Sequence, residues 1–191
     1  MKELRITGAV LALDLGTHCG FALRKESRVV KSGENTFDKK KDDDDGERLF
    51  RYLQWLRYEV RSNNVKLITY EEVNFVSSQL QHRLWCGWMT STLLVAKIEK
   101  VAVRGFATNV VKLAASGHGA AGKPRMMAAA KSHFGLGVLP EENEADALCV
   151  LYTTERWNEG SLVIPEKKKK PRKSKAKKGK TLKQGDLLSA I

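Results

Sequence analysis

Apolar residues along the chain fall into short continuous runs and helical stripes that alternate in a regular way. Residues 5–14 (RITGAVLALD) form an apolar run closed by Gly16, the pattern of a buried strand. Residues 21–25 and 28–32 are two further strand patterns separated by a short turn, which predicts an antiparallel meander. Over residues 47–62, Leu49, Leu53, Leu56 and Val60 recur at helical spacing, and Phe50 and Trp55 broaden the stripe. Residues 65–70 (VKLITY) are again a buried strand, and residues 78–99 a long helix with Gly87 as a candidate kink. A fifth strand is predicted over 101–106. Helices follow over 123–134 and 142–157, with Pro124 at an N-terminal position and Gly135 just past an end. The order β-β-β-α-β-α-β-α-α predicts an α/β fold: a mixed five-stranded sheet with helices on both faces.

Composition changes abruptly after Pro165. Residues 166–180 (EKKKKPRKSKAKKGK) have no apolar periodicity and are expected to be disordered, which divides the chain into a folded unit, 1–164, and a basic tail, 165–191. Much of the formal net charge of +12 sits in that tail. Such an excess suggests a polyanionic partner, nucleic acid ahead of an acidic membrane surface. The charged stretch 38–46 (DKKKDDDDG) reads as a solvated connection, because consecutive Asp residues do not converge on one ion without special backbone geometry. No apolar run approaches the ~20 residues of a membrane helix, and the N-terminus has no secretory pattern. Cys19, Cys86 and Cys149 are odd in number and far apart, which argues against a disulfide framework or a zinc site. Each is expected to be a small buried hydrophobe in a reducing compartment.

Three carboxylates stand out. Asp14 and Glu71 each follow an apolar strand, where an acid is poorly placed unless it is paired or bound to a cation. Gly16 and Gly20 let the backbone after Asp14 turn tightly and a ligand approach. Asp146 lies on a predicted helix and shares a face with Glu142 and Asn143. A single strand-end acid is most often a cap or loop residue. Three on separate elements can converge on one or two hard cations, for which magnesium and manganese are suited. A pair of such ions about 4 Å apart hydrolyses phosphodiesters.

These residues also carry a resemblance. The string Asp14-Leu15-Gly16-Thr17-His18-Cys19-Gly20-Phe21-Ala22 resembles the first motif of RuvC-type Holliday junction resolvases, the phage RuvC-like proteins in particular. Tyr70-Glu71-Glu72-Val73 resembles the second motif, and Glu144-Ala145-Asp146-Ala147-Leu148 the C-terminal one. Between them, Val111-Lys112 and the stretch from Gly117 to Lys123 (GHGAAGK) resemble the family's Lys and Gly-x-Gly-x-x-x-Lys segment. The motifs occur in the family's order over roughly residues 5–157.

The resemblance implies an RNase H-like nuclease acting as a homodimer on branched DNA: four-way junctions, flaps or forks. Asp14, Glu71 and Asp146 would bind Mg2+, with Mn2+ as a substitute, and Glu71 rather than Glu72 holds the motif's acid position. Lys112 and Lys123 would lie near the scissile phosphate or the DNA backbone. Phe75 is a candidate wedge between bases, and Arg83, on the long helix, a further DNA contact; Trp85 and Trp88 on that helix suit core or dimer packing better than base stacking. One departure bears on the chemistry: where the bacterial family often has a second acid, three positions before the last Asp, this chain has Asn143. Its carbonyl oxygen can ligate without adding charge, and Glu142 or Glu144 could compensate. The implied location is the cytoplasm of a bacterium or phage-infected cell, or the nucleus of a eukaryotic host, where residues 167–173 would resemble a nuclear localisation signal. Two other readings compete. One is a non-catalytic branched-DNA-binding module of the same fold, suggested by Asn143 and the tail. The other is an actin- or sugar-kinase-like ATP-binding protein, suggested by Asp14-Leu15-Gly16-Thr17 but short of a second lobe and phosphate loop.

Overall fold

Side chains alternate across a strand, and β1 (Ala9–Asp14) uses both faces: Ala9, Leu11 and Leu13 enter one core, Val10 and Ala12 the other. In this computed structural model, which describes residues 7–44, 46–73 and 78–162, β1 is the middle of a five-stranded sheet ordered β3-β2-β1-β4-β5. Strands β2 (His18–Lys25) and β3 (Arg28–Thr36) complete an antiparallel meander with β1, whereas β4 (Val65–Glu72) and β5 (Ala102–Ala107) run parallel to it. The mixed sheet follows from the connections: a tight turn joins β2 to β3, and helical crossovers join the parallel strands.

Two helices cover one face. In α1 (Glu47–Ser62) and α2 (Gln79–Glu99), Tyr52, Leu56 and Trp88 are fully buried. Tyr52, Trp55 and Trp88 join Phe37 in an aromatic cluster with ring centroids 5.2–5.9 Å apart. The Tyr52 hydroxyl is satisfied by Thr92 Oγ1 at 2.7 Å. Asp44 Oδ1 caps the start of α1, accepting from the backbone N–H groups of Gly46 and Glu47, and Ser78 caps α2 through the N–H of Gln81.

The opposite face is covered by α3 (Thr108–Ser116), α4 (Lys123–Phe134) and α5 (Glu142–Asn158). Helix α5 is the central one. Ala145 and all five residues from Ala147 to Leu151 are fully buried, so it is enclosed between the sheet and the other two helices. Its Thr154 hydroxyl bonds Val150 O at 2.8 Å and Thr69 Oγ1 of β4 at 3.0 Å, which satisfies polar atoms that would otherwise be stranded in the core.

The predicted strands, the long helices and their placement on both faces are found. Other readings need correction. Helix α3 has no counterpart in the sequence pattern: its nine residues follow β5 without a break, and a short apolar segment carries too little periodicity to separate helix from strand. The meander strands are longer than their apolar patterns, because β2 begins at His18 and β3 reaches Thr36, residues ordered by pairing. Gly87 does not break α2. A Cβ there would sit 3.0 Å from Leu49 Cδ1, so this glycine lets α1 and α2 approach closely. Cys19 and Cys149 are buried as expected, but Cys86 is partly exposed. The connection predicted over 38–46 is exposed as expected at residues 38–42, 44 and 46, and within it Asp43 is bonded by Arg51 and Asp44 caps α1. Phe75 and the tail lie outside the described residues.

A second glycine fixes the position of α5. A Cβ on Gly20 would fall 1.8 Å from the backbone oxygen of Asn143, inside the first turn of that helix. Gly20→Ala is therefore expected to push α5 off the sheet and destabilise the protein by about 1–3 kcal/mol, the usual cost of overpacking. Urea unfolding of the two proteins measures this difference.

Candidate active site

The carboxyl-terminal ends of β1 and β4 lie side by side where the strand order reverses, the place where open α/β sheets bind ligands. Leu13 pairs with Tyr70 in the parallel register, and both side chains enter the core under α1 and α2. The next residues, Asp14 and Glu71, therefore project together from the other face, toward α5. Glu72 turns back to the face of Tyr70. The same row continues through Asp14↔Gly20 and Gly20↔Glu34, so acids from β4, β1 and β3 stand in one line with a glycine in the gap. The first turn of α5 descends onto that gap, and Asp146 follows in the next turn.

The electrostatics report how close these groups are. Burial pushes the Asp14 carboxyl up to about 8, helped by the negative charges of Asp146, Glu71 and Glu34 and opposed by Lys123. Asp146 is raised to about 6, first by burial and then by Glu71, with Lys112 and Lys123 opposing. Glu71 is also raised by burial, against a hydrogen bond from Thr108 and the charge of Lys112. The three predicted acids and both predicted lysines thus act on one another electrostatically. Lys112 comes from α3 and Lys123 from the first position of α4.

The remaining polar groups are disposed around this centre. Lys123 Nζ forms an ion pair with Glu142 Oε1. Glu144 is turned toward the meander, where its Oε1 accepts from Ser32 Oγ at 2.6 Å. Asn143 Nδ2 donates to Glu34 Oε2 at 2.6 Å, and His18 Nδ1 lies 3.0 Å from Glu34 Oε1. These contacts hold the Glu34 carboxyl below its ordinary range, with the Asn143 bond the largest cause. Arg83 is exposed on α2, in the helical layer on the other face of the sheet from the acids. Trp88 of that helix is core, as predicted, and Trp85 packs against the same cluster.

Glu34, His18 and Thr108 are site residues that sequence patterns do not reveal. The only signal for Glu34 is register: once β2 and β3 are paired through their turn, Glu34 falls beside Gly20.

Among the described residues, no three Asp, Glu, His or Cys side chains are grouped so as to hold a metal ion. The chemistry of the set nevertheless fits a hard divalent cation. All the converging donors are oxygens, they come from three elements, and their mutual repulsion and burial are what a bound cation would relieve.

No protein-family model matches the sequence, and no curated protein matches it. Solved structures do match in fold. RuvC of Thermus thermophilus in complex with a Holliday junction substrate superposes with a TM-score of 0.71 at 22% identity, over 81% of this chain and 97% of RuvC. A second Thermus thermophilus RuvC structure gives 0.70 at 20%, over 82% and 99%. The yeast mitochondrial Holliday junction resolvase Ydc2 gives 0.62 at 14%, over 84% and 82%. At these identities the likeness establishes the fold, which is the RNase H-like α/β fold of RuvC.

The raised carboxyls predict a pH signature of the metal-free protein. Asp14 binds its proton more tightly when folded than unfolded, so its contribution to stability is fully present below the ordinary value of 3.8 and is lost as pH rises toward about 8. Asp14→Asn is expected to melt higher than wild type in EDTA at pH 8, with the gap closing toward pH 4. Thermal melts across that range check the sign.

Proposed function

We propose that this chain is a RuvC-like, structure-specific endodeoxyribonuclease that cleaves four-way junctions or related branched DNA by divalent-metal-dependent phosphodiester hydrolysis. What supports the reading is that Asp14 and Glu71 end adjacent parallel strands on the face toward α5, which carries Asp146, with Lys112 and Lys123 near enough to act on these acids, on a fold shared with a RuvC solved in complex with a Holliday junction substrate. In this reading the three acids hold Mg2+, for which Mn2+ substitutes. When bound, such ions lower the pKa of a water nucleophile and neutralise the leaving oxygen.

The chain's own residues do the rest. Lys112 partly neutralises Glu71, and Thr108 Oγ1 ties the start of α3 to the end of β4 by donating to Glu72 O at 3.3 Å. Lys123 leaves its ion pair with Glu142 to meet the phosphate, where its ammonium offsets the charge that builds in the transition state. Asn143, at the first turn of α5, offers a neutral oxygen. Phe75 serves as the wedge between bases, and Arg83 is a further DNA contact.

Residues 1–164 form the nuclease unit in this proposal, and the basic segment 165–191 adds sequence-independent affinity by displacing counterions from DNA. The active species is a homodimer, since a two-fold assembly presents two cleavage sites to opposed strands. Leu80, Leu94 and Ile98, exposed along one side of α2, supply an apolar stripe for such a contact. The protein acts in the compartment that holds its DNA: the cytoplasm of a bacterium or an infected cell, or a nucleus.

The test is cleavage of a labelled mobile four-way junction beside a linear duplex and a flap, with Mg2+ and with EDTA. Paired nicks that need the metal and the junction are expected. Asp14→Asn should lower cutting by about 100-fold or more without loss of junction binding, and Lys123→Ala by about 100-fold. Tight binding with no cutting by wild type would instead identify a non-catalytic module. Removing residues 166–191 should weaken binding and flatten the dependence of log affinity on log salt concentration, read by fluorescence anisotropy.

A further inference from the structure

Asn143 lies in the first turn of α5, three positions before Asp146, and brings no charge to the cluster. Of the acids near it in sequence, Glu144 is bonded to Ser32 on β3, and Glu142 is ion-paired with Lys123 in the absence of DNA. The carboxylate that does reach position 143 comes from a strand 109 residues away in the chain. Glu34 lies in the same row as Asp14 and Glu71, two strands from Asp14, with only Gly20 between them. Gly20 has no side chain, and the Asn143 backbone occupies that space. The Asn143 amide is thereby laid against Glu34, donating Nδ2 to Oε2 at 2.6 Å.

That bond acts on both partners. An amide that donates through Nδ2 to a fixed carboxylate has its orientation set, and its Oδ1 is left as the acceptor end. The negative charge missing from residue 143 is restored one hydrogen bond away. Glu34 is itself fixed, because its other oxygen meets His18 Nδ1 at 3.0 Å and Thr36 Oγ1 at 3.3 Å.

We infer that Glu34 is a positioning residue of the metal site, and that the Glu34–Asn143 pair serves as one acid: Asn143 presents the oxygen, and Glu34 supplies the charge and the orientation. This rests on the proposed metal-dependent reading of the cleft. Groups that orient metal ligands through hydrogen bonds change metal affinity by roughly 10–100-fold when removed.

The experiment is titration of the full-length protein with Mn2+, followed by calorimetry and by the electron paramagnetic resonance signal of free Mn2+, for wild type, E34Q, and the double variant E34Q/N143D. E34Q keeps the size and the ability to accept from Asn143 but removes the charge, and is expected to weaken Mn2+ binding by about 10-fold or more. E34Q/N143D moves the charge from one partner to the other and reverses the polarity of the hydrogen bond, the new amide at position 34 donating to the new carboxylate at position 143. Its Mn2+ affinity should return to near that of wild type. Unchanged affinity in E34Q, or a double variant as weak as E34Q, would overturn the assignment. A bracing role for Glu34 in the meander alone would lower the melting temperature of E34Q without Mn2+-specific loss or rescue, and so would count against it too. Absence of Mn2+ binding by wild type would overturn the metal reading of the cleft, and this assignment with it, which separates the two failures.

Discussion

The contact between Gly20 and the first turn of α5 is the constraint on which the site depends. The sheet alone brings Asp14 and Glu71 together, since they end adjacent parallel strands. Asp146 reaches them only because a helix lies against the sheet with no side chain between its backbone and β2. That proximity is built into the covalent structure at one position. The small and apolar residues of α5, Ala145, Ala147 and Leu148 among them, then hold the helix down by burial.

This arrangement opposes stability to chemistry. Burying carboxylates beside one another is costly, and the upward displacement of Asp14 and Asp146 expresses that cost. Lys112 and Lys123 offset part of it from α3 and α4. The rest is tolerated because the two hydrophobic cores on either side of the sheet are extensive and because the acids stand at their margin.

Much of the fold is legible in the sequence, and the reasons are specific. Long helices such as α1 and α2 repeat their apolar spacing often enough to be read, and the strand-end acids stand out because charge rarely follows an apolar run. What escapes shares a different property. Helix α3 is short and continuous with β5, so Thr108 and Lys112 have no predicted element to stand on. Glu34 lies in a polar edge strand whose pattern is unremarkable, and its meaning comes only from its neighbours across β2. Gly87 has the composition of a kink but the surroundings of a contact, because Leu49 is distant in sequence. In each case the missing information is a pairing between segments rather than a preference within one.

The sheet is a single layer thick, and its two faces carry different tasks. The aromatic cluster of Phe37, Tyr52, Trp55 and Trp88 and the exposed stripe of α2 lie on one side, while Asp14, Glu71 and Asp146 lie on the other. The two sides touch only through main chain and through residues of alternating direction along the same strands. The face turned away from the acids can therefore accumulate substitutions while the geometry around Asp14 and Glu71 is kept. That partition lets divergence proceed at two speeds within one small molecule.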